Sequence, residues 1–209
     1  NVEVLIEQGR QGHSRHFAPV ELTFDAPVGA DLSRFDRGGD GDRVRAELGL
    51  DGPVAMYLGQ LAGAHAAPLF LDAAAIVARA LPEARFLVVG GGRTLQHTKD
   101  HAARLDLGDR VVFTGAVPHT RVPDLLDVAD VAVATLPDTA QAATKSPLKI
   151  VEYMAAGKAI VASAVGEAIR FLDGGRVGRL VQPGSAEALA EAIVELLGDD
   201  HRRSELGVA

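Results

Sequence analysis

The 209-residue chain contains no cysteine, which excludes disulfides, zinc ribbons and thiol catalysis. It has no apolar run approaching the ~20 residues that a membrane-spanning helix needs. Residues 1–16 are polar and lack the apolar core of a secretory signal, so none is expected. Positive charge is scarce: 21 Lys and Arg stand against 28 Asp and Glu, for a formal net charge of −7. This argues against nucleic acid as the main partner, because a phosphate backbone needs a basic face. An acidic protein can still bind a nucleotide in one basic pocket. Gly-x-Ser-x-Gly, His-Glu-x-x-His and Walker sequences are all missing. His13 and His16 have no carboxylate at metal-site spacing, and no bound metal is expected. There is no internal repeat and no low-complexity tract. The chain opens without methionine, which fits a fragment or a trimmed chain.

What is present is 47% hydrophobic, enough for a sizeable core, at a length that suits one large domain or two small ones. From residue 53 onward short apolar runs alternate with helical patterns. Strands are expected at Val54–Leu58, Phe86–Val89, Val111–Thr114, Val131–Thr135, Ala159–Ser163 and Gly178–Val181. Helices are expected at Leu69–Leu81, Thr94–Leu105, Val122–Ala129, Pro147–Ala156, Ala186–Leu197 and Asp200–Leu206. Apolar strands separated by helices form a parallel sheet covered on both faces. With right-handed crossovers, the expected fold is α/β, a doubly wound Rossmann-like sheet in a single domain, residues 46–209. Residues 1–45 read as a linker with edge elements: short strands at Val2–Ile6 and Val20–Phe24, and a flexible turn over residues 38–42. In such sheets the ligand sits at the carboxyl ends of the strands.

Lys145-Ser-Pro-Leu-Lys-Ile-Val-Glu-Tyr-Met-Ala-Ala-Gly157 is the stretch with most to say. Ser146 and Pro147 read as N-cap and first helical residue, and Gly157 as the stop. Lys145 and Lys149 flank the helix start, where the dipole already places positive charge. The chain has only four lysines, and Lys145, Lys149 and Lys158 fall within fourteen residues. An anion at the helix start would answer this, since free N–H groups, the dipole and two ammoniums make a phosphate cradle. The plainer alternative is a solvated helix end with a Lys149–Glu152 pair. Glu152 lies one turn on, where a carboxylate accepts both hydroxyls of a ribose. Gly90-Gly91-Gly92 lacks the G-x-G-x-x-G spacing, since Leu95 stands at the last glycine position, and reads as a tight strand-to-helix turn that still leaves room for a phosphate or sugar to approach. His65, in a glycine-flanked loop after the first strand, is a candidate phosphate contact or proton carrier, the plainer alternative being a solvated loop histidine. His97, His101, His119 and His201 lie in polar contexts and suggest nothing. Asp138, after Pro137, suits substrate contact or a turn.

Together these residues resemble the C-terminal, donor-binding domain of GT-B-fold retaining glycosyltransferases, in the group-one sugar transferase family. Pro27–Phe35 looks like the interdomain segment P-N-G-V-D-x-x-x-F, Val54–Leu61 like the first strand and glycine turn, and Arg85–Gly92 like "F-x-x-x-G-x-G". Val111–Val117 looks like "V-x-F-x-G-x-V", and Ser146–Ser163 like S-P-x-K-x-x-E-Y-M-A-A-G-K-P-V-V-A-S. The resemblance implies a nucleotide sugar as substrate, with no cofactor and no protein-bound metal. It puts the donor ribose on Glu152, the diphosphate on backbone N–H groups of Ser146, Pro147, Leu148 and Lys149 (proline contributing none), and the base along Gly115, Ala116 and Val117. Gly59 gives the phosphates close approach, with Gln60 beside it. Lys149 and His65 are the expected catalytic residues, Lys145 and Lys149 supplying positive charge. The sequence departs from the family at Gln60, where arginine is usual, at residues 62–65, where a lysine is usual, and at Thr144, where the first of two glutamates is usual. A catalytically silent nucleotide-binding or scaffold module of the same fold is therefore the alternative. A sugar-nucleotide epimerase would need more carboxylates and histidines in the cleft. The family has an acceptor domain before the donor domain, so a short remnant of it is expected ahead of residue 27. The protein is expected in the cytoplasm, with any contact to the inner membrane surface left to that domain.

Overall fold

The computed structural model describes residues 29–35, 40–62, 66–144 and 146–208. The expected strands at Val2–Ile6 and Val20–Phe24 lie outside these residues, as do His65 and Lys145.

Six strands form the sheet: β1 (Val54–Leu58), β2 (Arg85–Val89), β3 (Val111–Gly115), β4 (Val131–Ala134), β5 (Ala159–Ser163) and β6 (Arg179–Val181). All neighbours are parallel, in the order β3-β2-β1-β4-β5-β6. The apolar runs are explained by burial on both faces. In β1, Val54 and Met56 face one layer while Ala55 and Tyr57 face the other. The first layer holds α1 (Gly41–Leu48), α4 (Val122–Val128), α6 (Leu148–Ala155) and α7 (Glu167–Phe171). On the opposite face lie α2 (Ala66–Ala80), α3 (Leu95–Arg104), α8 (Ala186–Leu197) and α9 (Asp200–Val208). A one-turn helix, α5 (Ala140–Ala143), follows β4.

The crossover helices of β1–β2–β3 (α2, α3) and those that lead through β4 to β5 and β6 (α4, α6, α7) therefore cover opposite faces, and the order reverses between β1 and β4. That reversal opens a crevice at the carboxyl edge, where doubly wound sheets take their ligands. None of the described helices is long and apolar enough to cross a membrane.

Three local features differ from expectation. Residues 41 and 42, read as part of a flexible turn, begin α1. This helix straddles residue 45: Val44 is fully buried against the sheet-side core, and Gly49 ends the helix in a left-handed conformation at φ 66°. Its polar composition, with a single buried side chain, hid it. Helices α5 and α7 were also unforeseen, since four and five residues are too short to show a period. Third, α6 begins at Leu148 and not at Pro147. Proline fixes φ but not ψ, and at ψ 91° Pro147 is extended and occupies the cap position with no side-chain capping bond. Ser146 does not cap the helix. Gly157, at φ 61°, does stop it.

Candidate nucleotide-sugar site

Tyr153 fixes the position of α6 over the crevice. Its side chain is fully buried, its hydroxyl accepts from Leu58 N at 3.0 Å, and it donates to Val133 O at 3.3 Å. One phenol thus ties the helix to β1 and β4 on either side of the reversal. Burial pushes its pKa far above the ordinary tyrosine value, so it remains a neutral donor.

With α6 fixed, Lys149 reaches the end of β1. Its Nζ lies 4.3 Å from the centre of the Tyr57 ring, a cation–π contact. A Cβ built on Gly59 would stand 2.8 Å from that Nζ and 3.1 Å from the Tyr57 hydroxyl. A side chain at residue 59 would displace the lysine head group from this position. Burial draws the Lys149 pKa from 10.5 down to about 8, opposed by the Glu152 charge. Burial also pushes the Tyr57 hydroxyl up to about 12. The late start of α6 leaves the N–H groups of Leu148 and Lys149 without intrahelical acceptors. Ile150 N is already used, bonding to Pro147 O at 2.9 Å.

Glu152 is only 6% exposed. Among the described residues no ion pair joins it to Lys149. Instead its Oε1 meets His119 Nε2 at 2.6 Å. His119 opens a short 3-10 turn, His119–Arg121, just after the Gly115–Val117 loop. The plainer reading of the helix start as a solvated Lys149–Glu152 pair therefore does not describe this site.

The three glycines after β2 close the floor. A Cβ on Gly90 would meet Gly59 O at 2.0 Å, one on Gly91 would meet Ala116 N at 2.8 Å, and one on Gly92 would meet Leu61 O at 2.4 Å. They let the turns after β1, β2 and β3 touch. Gly90 N also donates to Gly115 O at 3.1 Å. The triplet thus makes a tight turn packed against its two neighbouring turns.

The structure thus brings Gly59, Lys149 and Glu152 to one crevice, with Gly115, Ala116 and Val117 on the neighbouring turn. Gln60 and Ser146 are exposed beside it, Leu148 is 44% exposed, and Pro147 precedes the helix. Lys158 does not belong to the group. It lies at the opposite edge, before β5, where its Nζ donates to Asp127 O at 3.3 Å and burial lowers its pKa. Asp138 lines a separate cleft of about 420 Å³ with Ala66, Pro68, Asp72 and Gly184. Among the described residues no cluster of three His, Asp and Glu side chains is placed to hold a metal. Sequence reasoning missed Tyr57, read only as a strand residue, and His119. The one signal for His119 was its place two residues beyond the Gly115–Val117 loop.

The comparisons to known proteins bear on the family and the fold. The family model described as "Glycosyl transferases group 1" matches residues 52–199. The chain is 29% identical over 197 residues to the GDP-mannose-dependent alpha-(1-6)-phosphatidylinositol monomannoside mannosyltransferase of Mycolicibacterium smegmatis, covering 92% of this chain and 52% of that protein. Its fold matches HepE from Anabaena, solved in complex with UDP and glucose, at TM-score 0.72 and 24% identity, over 86% of this chain and 48% of that one. It also matches the C-terminal domain of a group 1 family glycosyl transferase (LpcC) from Francisella tularensis at TM-score 0.70 and 18% identity, over 86% of this chain and 93% of that one. The chain spans about half the length of the curated relatives it matches. Its sheet and flanking helices have the Rossmann-like architecture of GT-B glycosyltransferases, and the chain belongs to the group 1 glycosyltransferase family.

Proposed function

We propose that this chain is the donor-binding half of a retaining glycosyltransferase, which moves a sugar from a nucleoside diphosphate to an acceptor hydroxyl. The observation that carries this reading is the placing of Lys149 Nζ against Gly59 at the start of α6, one turn from the buried Glu152. In the proposed complex the diphosphate lies over Gly59, met by Lys149 and the N–H groups of Leu148 and Lys149. Glu152 accepts the ribose hydroxyls, and the base lies along Gly115, Ala116 and Val117. When the bond from the sugar to the diphosphate breaks, negative charge grows on the leaving oxygen. The Lys149 ammonium and the helix start are already oriented toward it, and this preorganised field lowers the barrier. The reading asks for no bound metal. Retention rests on the likeness of Ser146–Ser163 to the family signature.

The curated relatives are about twice as long as this chain. We assign the acceptor side of the cleft to a second domain of that extra length. The same reading places the protein in the cytoplasm and leaves any membrane contact to the second domain. With half a cleft, the chain binds nucleotide weakly. Titration calorimetry with UDP, GDP and ADP tests this: measurable heat is expected with at least one, and no heat at millimolar nucleotide would contradict it.

A second reading, a silent binding module of the same fold, draws on Gln60 and Thr144, which stand where the resemblance gives an arginine and a glutamate. Transfer or hydrolysis of a sugar nucleotide by the full-length protein would rule it out.

A further inference from the structure

The contact between His119 and Glu152 is not explained by packing alone. A carboxylate as buried as Glu152 must have a partner, because an unpaired charge out of water is costly. The partner here is not the lysine on its own helix but a histidine from another loop. The Glu152 side chain is 8% exposed, whereas that of His119 is 53% exposed. The pair is thus buried at its carboxylate end and open at its imidazole end. At 2.6 Å its Nε2 is within hydrogen-bond distance of Oε1. That leaves Oε2 with the capacity to accept from a vicinal diol. The backbone that carries His119 is also fixed from its own side. His119 begins the 3-10 turn that closes with Arg121 N donating to Pro118 O at 2.9 Å, and this turn leads into α4, whose Val122 and Leu125 are buried. A glutamate has three side-chain torsions, and one held by a rigid neighbour loses less freedom when a ligand arrives.

We propose that His119 is a positioning residue of the ribose subsite. It holds the Glu152 carboxylate in the orientation that accepts a 2′,3′-diol and thereby sets preference for ribonucleotides over 2′-deoxyribonucleotides. The proposal rests on the reading that Glu152 takes the ribose.

The test is titration calorimetry on the 209-residue chain with UDP and GDP and their 2′-deoxy counterparts, with inorganic pyrophosphate as a control. The parent is expected to favour the ribonucleotide roughly tenfold or more, the worth of one hydrogen bond to a charged group. In His119→Ala that ratio falls toward one through lost ribonucleotide affinity, while pyrophosphate binding is unchanged. In His119→Gln, whose amide N–H can replace Nε2–H, most of the ratio returns. A role in folding alone would move melting temperature and all ligands together. A ratio preserved in His119→Ala but abolished in Glu152→Gln would overturn the positioning role and leave the ribose reading standing. A parent with no ribose preference would overturn both.

Discussion

Lys149 shows the cost of this site at the scale of one residue. Burial draws its pKa down to about 8 from 10.5, so the folded state holds that proton less tightly than the unfolded chain. Below about pH 8 both states carry the charge, and the native state bears the whole penalty. Between about 8 and 10.5 the unfolded chain binds more protons, and stability rises with pH. The face of Tyr57 offsets part of the cost. Lys149→Met is therefore expected to be more stable than the parent at pH 7, by a margin that shrinks toward pH 10, as urea unfolding at the two values would show. The same variant should lose about 1–3 kcal/mol of nucleoside diphosphate affinity, as for a hydrogen bond to a charged group. In the parent, affinity should fall as pH rises above 8, because the anion prefers the charged amine; in Lys149→Met that slope disappears. A variant destabilised at pH 7 that binds at full strength would contradict this role. Lys149 and Glu152 stood out in the sequence because both lie at a helix start that breaks a local charge rule, and Gly59 through the resemblance of its strand and turn to the family. His119 and Tyr57 did not, because their partners lie 33 and 92 residues away along the chain, and no local pattern encodes that.

Among the elements, strands were easier to read than helix starts. Two-sided burial makes each strand a continuous apolar run, and β1 and β5 have the expected bounds. The start of α6 slipped by one residue because it turns on ψ of Pro147, which composition does not set. The contacts between loops were hidden altogether. Gly90, at φ 135°, lies against Gly59 O, so it answers both a backbone requirement and a close approach. Gly90→Ala should cost at least about 1–3 kcal/mol, the range for overpacking. It should also weaken nucleotide binding by displacing the Gly59 turn, whereas Gly174→Ala, with no neighbour near its Cβ, leaves binding alone. An unchanged urea midpoint for Gly90→Ala would show that the turns after β1 and β2 are not packed in this way.

For the whole molecule, alternation of strands and helices was enough to indicate a doubly wound sheet, since right-handed crossovers leave few other arrangements. The sheet order places the reversal between β1 and β4, and Gly59, Leu148, Lys149 and Glu152 sit on that edge. The lysine cluster misled at this scale: Lys158 is close to Lys149 in sequence, yet one α6 helix carries them to opposite edges of the sheet. The central claim is that this edge divides its work, with Lys149 holding the diphosphate and Glu152 the ribose. Calorimetry of the parent, Lys149→Ala and Glu152→Gln against a nucleoside diphosphate and inorganic pyrophosphate tests that division most directly. Lys149→Ala is expected to weaken both ligands, and Glu152→Gln the nucleotide alone. Two variants that bind both ligands like the parent would contradict it.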